Sequence, residues 1–537
     1  MKNTKYIIYG MMASVAIGFT SCDDFLEEKP EDQKPADQFW QTKNDAVTGV
    51  AALYMGGVPY LYENGGGWQP KAIMFDGIIS GLFHDDHGDS QLAEAAKSST
   101  YTLEKFSSPA MTLYHEFYKG ISRANFVLAN IPNMTDVLDQ ATINQYVAEG
   151  KFFRAYGYYY LVKEFGDVPY IDAPVTSLDG IYVPRTPAAE VYQHIIDDLE
   201  SIATTEALPN KSFYENGSRV TRAMAQTLLA EVYLQRAGYP LNGGNADYQK
   251  AAEAAELVIN GGSALLEQAE GSSDDLESAY NVIKNSKTSK EIIYAKEYSY
   301  FANNVGNGFV ELSIYSGAST WKDANGEQVF KRGCLHKAYQ PCDVILKSYA
   351  PDDIRGHEKQ FFFNYYEDQT GVIDTLNETG IWAWFEEDAA IKDHGGDNNL
   401  PIMRYPEVLL IAAEGYARTG NEAKALDYLN QVRKRAGLPE ETATGDELIQ
   451  SILTERLHEF PVEFKIWDDI RRTRLYPEAA GENSGKLNWV PLAGAKIQNR
   501  PVGKEKVGDI PDWLLLWPIP QDEIQHNPAL TQNPGWK

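Results

Sequence analysis

Apolar or small side chains fall at Ile143, Tyr146, Val147, Gly150, Phe153, Gly157, Tyr160 and Leu161, three or four residues apart, which is the spacing of one face of a helix. Glycine inside a helix costs roughly 1 kcal/mol of propensity, so Gly150 and Gly157, with the small Ala155 between them, predict a second helix packed close against this face. Gly166 and then Pro169 predict where the helix stops, because glycine can take the positive-φ conformation beyond the last turn and proline cannot continue it. Upstream, Tyr114, Phe117, Tyr118, Ile121, Ala124, Asn125 and Leu128 repeat the spacing until Pro132, so Leu113–Ile131 is the predicted partner in a helical hairpin. A first amphipathic helix follows Phe39-Trp40 and runs to Tyr54. Pro187–Ile202 predicts another, with proline in its favoured first turn, and Arg219–Leu234 and Tyr248–Ile259 predict two more.

The same unit returns near the C-terminus. Leu409–Ala417, a turn at Thr419-Gly420-Asn421, and Ala423–Val432 match the pair that ends at Ile259. Helices paired with alanine at the contact and aromatic residues above it resemble tetratricopeptide hairpins. The expected fold is therefore mainly α, a stack of about four such hairpins around residues 113–165, 188–235, 222–260 and 404–436, with a large irregular portion and a few short strands. Between residues 261 and 403 the periodicity dissolves. Glu291-Ile292-Ile293-Tyr294-Ala295 reads as one strand, and the rest is rich in Asn, Gly, Asp and aromatic residues. Long irregular segments within a folded protein are usually functional. Residues 55–83 also read as loop, and from Trp513 onward prolines and asparagines predict an extended tail laid across the scaffold.

A chain of 537 residues exceeds what one ordinary core supports, and 43% hydrophobic with 23% charged residues marks it as globular. Lys2 and Lys5 precede an apolar run from Tyr6 to Phe19, then Thr20-Ser21 meets Cys22, the layout of a secretory signal. A cysteine directly after the small residues resembles a bacterial lipoprotein cleavage site, with Cys22 acylated; an ordinary cleavage that leaves Cys22 incidental is the other reading. Each buried methylene of an acyl chain would add about 0.8 kcal/mol of membrane affinity. Loss of residues 1–21 removes two lysines and no acid, so the formal charge moves from −28 to −30. Such a surface repels nucleic acid, and it disfavours a polyanionic ligand unless a local basic patch or a bound cation intervenes. Cys334 and Cys342 can pair across a short loop or stay as two buried thiols; neither arrangement makes a metal site.

Gly150-Lys151-Phe152-Phe153-Arg154-Ala155-Tyr156 followed by Phe165-Gly166-Asp167-Val168-Pro169 resembles the central signature of the SusD/RagB family, the surface nutrient-binding lipoproteins of Bacteroidetes. The resemblance extends to Pro401–Leu410, Leu429–Leu438, Glu455–Phe460 and the proline-rich tail. His458, Pro461-Val462-Glu463 and Pro406 depart from the family pattern and read as local variation. Asp23–Asp32 resembles the acidic tract that marks such lipoproteins for the outer face of the outer membrane. The resemblance implies a partner, a SusC-like TonB-dependent outer-membrane transporter over which the protein sits as a lid. The chain then divides into a signal peptide (1–21), an acylated flexible leash (22–35), an N-terminal helical region (36–260), a loop-rich ligand-binding region (261–403), and a C-terminal helical region with its tail (404–537). The last packs with the N-terminal part as one unit.

No HExxH, G-x-S-x-G or P-loop is present, so the expectation is a binding protein and not an enzyme. No cofactor is expected. Calcium would suit His84-Asp85-Asp86-His87-Gly88-Asp89 or Asp393-His394-Gly395-Gly396-Asp397 by composition, but neither has EF-hand spacing, and solvated acidic loops explain both. Sugar rings carry apolar C–H faces that stack on indole and phenol rings, while amides and charged groups bond the hydroxyls. Tyr62, Trp68, Tyr315, Trp321, Trp382 and Trp384 lie in loop-like segments near such polar residues and are the candidate glycan-binding positions. On a strand, Trp382 and Trp384 would face the same way. The alternative is that these rings pin their loops to the core, as Trp40, Trp467, Trp513, Trp517 and the tyrosines of Tyr156–Tyr160 are expected to do. The expected ligand is an oligosaccharide or polysaccharide; a peptide ligand, a pure scaffold and a glycan-degrading enzyme are the alternatives.

Overall fold

The computed structural model describes residues 39–62, 77–84, 108–268, 277–300, 306–314, 316–331, 339–392, 395–495, 510 and 512–536. Its longer helices are α1 (Lys43–Ala51), α2 (Ser108–Asn130), α3 (Gln140–Phe165), α4 (Ala188–Ala203), α5 (Arg222–Ala237), α6 (Asn245–Gly261), α7 (Ala279–Asn285), α8 (Glu387–Lys392), α9 (Tyr405–Arg418), α10 (Glu422–Arg435), α11 (Gly445–Glu459), α12 (Ile466–Thr473) and α13 (Gln521–His526). Local chemistry sets the ends. Asp139 accepts from Thr142 N at 2.8 Å to start α3, and Gly166 closes it at φ 72° with its N–H on Val162 O. Thr42 and Asp45 form a reciprocal capping box on α1. Pro406 occupies the first turn of α9, where its missing N–H costs nothing; Pro187 caps α4 from just outside it instead of sitting within its first turn.

The helices pack in succession, α2 on α3, α3 on α4, α4 on α5, α5 on α6, then α6 on α9 and α9 on α10 and α11. The repeating hairpins expected from the periodicity are thus present as a continuous stack, and α6 meets α9 across an insertion of more than a hundred residues. Glycine makes the close approaches. A Cβ on Gly157 would come within 2.8 Å of Ile121 Cγ1, and one on Gly415 within 2.5 Å of the Tyr248 carbonyl oxygen. The rings of Tyr156, Tyr158 and Tyr159 are buried in the resulting core, as are Trp467 and Trp517, while Trp40 and Trp513 are partly buried against it.

The insertion is less irregular than its sequence predicts. The expected strand forms as β1 (Ile292–Lys296) and pairs antiparallel with β4 (Leu400–Arg404). An unexpected hairpin pairs β2 (Phe362–Glu367) with β3 (Ile373–Ile381), from Phe362 opposite Ile381 to Glu367 opposite Ile373, with a register shift between Phe363 and Tyr365. A second small core collects beneath this hairpin, with Phe330, Phe363, Tyr366 and Phe385 at its centre. A further hairpin pairs β5 (Leu475–Ala479) with β6 (Leu487–Pro491).

The C-terminal tail crosses the end of α3. Trp517 N donates to Glu164 O at 2.7 Å, and the buried Asn533 amide donates to Phe165 O at 2.9 Å and to Trp517 O at 2.6 Å. The extended course expected from its prolines is interrupted by a 3₁₀ turn at Asp512–Leu515 and by α13. Among the described residues no helix is long and apolar enough to cross a membrane.

Candidate functional site

The residues that carry the strongest sequence signature hold the scaffold together. Arg154 makes a bidentate pair with Asp198, at 2.7 and 2.8 Å. Arg404 donates to Glu291 at 2.6 Å and to Glu459 at 2.8 Å, Arg435 bridges the same two acids, and Arg355 joins Asp353, Glu455 and Glu459. Arg154 is partly buried; Arg355, Arg404 and Arg435 are buried with their acids, and loss of one partner from such a network strands a charge in the interior. His458 belongs here too. Its Nε2 lies 2.7 Å from Ser348 Oγ, whose own hydroxyl donates to Ile345 O, so Nε2 carries the proton. Burial, with the Arg355 cation, pushes its pKa down to about 3.

The proposed glycan-binding rings separate into different environments. Tyr62 is 4% exposed and Trp384 3%, and both rings pack against Phe464 inside the main core. Trp321 is 9% exposed and packs on Phe330 in the second core. These three were expected on open loops; the structure buries them because each pins an irregular segment to apolar surface. Trp382-Ala383-Trp384 is a 3₁₀ turn and not a strand. At three residues per turn, side chains two apart diverge, so Trp384 enters the main core while Trp382 joins the second. Trp68 and Tyr315 lie outside the described residues, as do Cys22 and Cys334. The Cys342 thiol is buried 3.5 Å from Gly81 O.

Trp382 alone among the described candidates stays partly exposed, and it organises a site. Its Nε1 donates to Asn281 Oδ1 at 2.6 Å, and Asn281 Nδ2 donates to Lys359 O at 2.9 Å. Asn281 is itself fixed by the N-cap Ser278 of α7. One buried amide therefore locks both the indole and the backbone of Lys359. The Lys284 ammonium lies 4.5 Å from the Trp382 ring centroid and that of Lys359 5.7 Å from it; Lys359 also lies 4.7 Å from the Tyr365 ring centroid. Tyr365 is 40% exposed, with exposed Asn364 beside it on β2.

A cavity of about 50 Å³ that shares Lys284 with this cluster is walled by Tyr280, Phe361 and Trp384, with Lys284, Glu386, Asn398, Arg404 and Glu463 among its polar groups. It has room for water but not for a sugar ring, so any larger ligand meets the outer face. Burial pushes the Lys284 ammonium down to about 8, partly opposed by Glu386 and Glu387. Glu386 accepts Asp397 N at 2.7 Å and Asn398 N at 3.1 Å, and burial raises its pKa. Sequence reasoning missed Lys284, Lys359, Tyr365 and Asn281. The signal available was the aromatic run Phe361-Phe362-Phe363-Asn364-Tyr365-Tyr366, which reads as a buried strand once the turn at Asp368–Gly371 is recognised.

Of the acidic loops that would suit calcium by composition, His84–Asp89 and Asp393–Asp397, residues 85–89 and 393–394 lie outside the described residues, and Asp397 is engaged by Lys287 at 3.0 Å and by Tyr300 N at 3.1 Å. Among the described residues, His115, Asp522 and Glu523 bring ligand atoms within 4.8 Å of one another. That donor set includes an imidazole and is unlike the all-oxygen shell that calcium takes.

Two family models match the chain. The model described as SusD family covers residues 243–536, and the one described as starch-binding associating with outer membrane covers residues 24–234. The chain is 28% identical to SusD-like protein P2 of Formosa agariphila, over 96% of this chain and 97% of that protein. It is 22% identical to the starch-binding protein SusD of Bacteroides thetaiotaomicron, over 99% of this chain and 100% of that protein. A crystal structure of a SusD superfamily protein from Parabacteroides distasonis superposes with a TM-score of 0.78 at 27% identity, over 92% of this chain and 99% of that one. With the helical stack, the signature residues and these matches together, the chain belongs to the SusD/RagB family.

Proposed function

We propose that this protein is a non-enzymatic, lipid-anchored binding protein on the outer face of the outer membrane, which captures oligosaccharide or polysaccharide and passes it to a SusC-like TonB-dependent transporter. The observation that carries the reading is the match of residues 24–234 to a family described as starch-binding associating with outer membrane. The cluster around Trp382 supports it, since a partly exposed indole and phenol beside ammonium and amide groups is the equipment of sugar recognition. A stack of hairpins offers the broad rigid surface that a transporter contact requires. Acylation of Cys22, followed by a flexible acidic leash, would tether the protein while letting it swing over its partner.

Affinity electrophoresis tests the capture role: migration is expected to slow in gels that contain the ligand polysaccharide and to be unchanged in gels without it. For the anchor, a Cys22→Ala protein is expected to leave the outer-membrane fraction of cells that lack the transporter. Retention of that variant in the membrane would contradict the tether.

A further inference from the structure

In a chain with 76 acidic and 48 basic side chains, lysines drawn away from water are expected to find carboxylates, and the two buried ones among the described residues do. Lys163 sits 2.6 Å from Asp468 and Lys465 2.9 Å from Glu407. Lys284 and Lys359, both partly buried, differ. Both ammoniums gather around one indole, and neither makes an ion pair among the described residues. The two nearby acids are occupied elsewhere, Glu386 by the backbone N–H groups of Asp397 and Asn398, and Glu387 by the Tyr366 hydroxyl.

The placement of Lys359 is built and not incidental. Its backbone is held at φ 62°, a left-handed conformation that lysine seldom adopts. Its N–H donates to Phe362 O at 2.8 Å and its carbonyl accepts from Asn281. Backbone held this way by its surroundings marks positions where side-chain aim matters.

We propose that Lys284 and Lys359 form the anion-recognition element of an acidic-sugar subsite, so that the captured glycan bears carboxylate or sulfate groups. This rests on the glycan-binding reading and narrows it. The anion would sit between the two ammoniums, and the exposed face of Tyr365 would carry the adjoining ring. Lysine suits the role because a compact point charge accepts anions in many orientations. Burial disfavours the lone Lys284 charge, and a bound anion restores it, so binding at pH 8 is coupled to proton uptake.

The test is calorimetric titration of the purified protein with polygalacturonate, alginate, chondroitin sulfate and starch, repeated with carboxyl-reduced and desulfated forms of whichever acidic polymer binds. The expected result is saturable binding of an acidic polymer, weakened about tenfold or more when its anionic group is removed, as for loss of a charge-assisted contact. The preparation that abolishes binding, carboxyl-reduced or desulfated, identifies which anion is read. Lys284→Met is expected to weaken binding similarly and Lys284→Arg to restore part of it. Lys359→Gly removes the ammonium while suiting the backbone conformation, so its loss of affinity is not a folding defect. At pH 8 the measured heat is expected to vary with the ionisation enthalpy of the buffer. Starch binding that is indifferent to both lysine variants, or acidic-polymer binding that survives neutralisation of its charge, would overturn the subsite and leave glycan capture standing. Absence of binding across all polymers would count against the capture reading itself, and the subsite would fall with it.

Discussion

Lys284 is charged in a place that disfavours charge. Its folded value of about 8 lies below the ordinary 10.5 of lysine. Below pH 8 the ammonium is protonated in folded and unfolded chains alike, and the folded state bears the cost of burying it. From pH 8 to 10.5 the folded protein sheds a proton that the unfolded chain keeps, so this cost is relieved as pH rises. Lys284→Met is therefore expected to stabilise the protein at pH 7, by on the order of 1–3 kcal/mol in urea unfolding, while binding weakens. The gain is expected to shrink above pH 8. His458 acts with the same sign in a lower window. Its folded value near 3 lies below the ordinary 6.5, so as pH falls from 6.5 the unfolded chain takes up a proton that the folded one refuses. Stability is expected to drop by up to about 1.4 kcal/mol per pH unit from this group. His458→Gln should flatten the decline between pH 6.5 and 5, a window above the ordinary carboxylate range, and an unchanged slope there would contradict the assignment.

Among the elements, the contact of α6 with α9 joins the two halves of the helical stack. Gly415→Ala would set a Cβ 2.5 Å from the Tyr248 carbonyl oxygen and 2.9 Å from Ala252 Cβ, backbone and side chain that cannot both move away. It is expected to cost about 1–3 kcal/mol despite the better helix propensity of alanine, measured by chemical denaturation; a stabilised variant would show that the helices can part freely. The helices were legible in the sequence because their apolar faces keep a three-and-four period over many turns, as in Ile143–Leu161. The hairpin of β2 and β3 was not, because β2 is a nearly unbroken aromatic run and β3 is largely polar, so neither alternates cleanly. The signature motifs were legible as family marks, but Arg404, Arg435 and Glu459 turn out to serve the buried ionic framework, and Arg154 a partly buried pair with Asp198. The candidate ligand site was hardest to read. Exposure of a loop tryptophan depends on which apolar surface lies beneath it, and that is set by residues far away in the chain: Phe464 for Trp384, and Phe330 for Trp321.

For the molecule as a whole, a formal charge of −28 works against an acidic ligand, while the lysine pair around Trp382 works locally for one. The local term dominates at contact distance, and the long-range repulsion is screened over about 8 Å at physiological ionic strength. Binding of an acidic glycan is thus expected to respond to salt through both terms, whereas binding of a neutral one should be nearly indifferent. Capture without cleavage is tested most directly by titrating the soluble protein from Asp23 onward against a panel of neutral and acidic polysaccharides by calorimetry, then assaying each mixture for new reducing ends. Saturable binding of at least one polysaccharide with no new reducing ends is expected; cleavage of any bound polysaccharide, or no binding across the panel, would contradict a capture role.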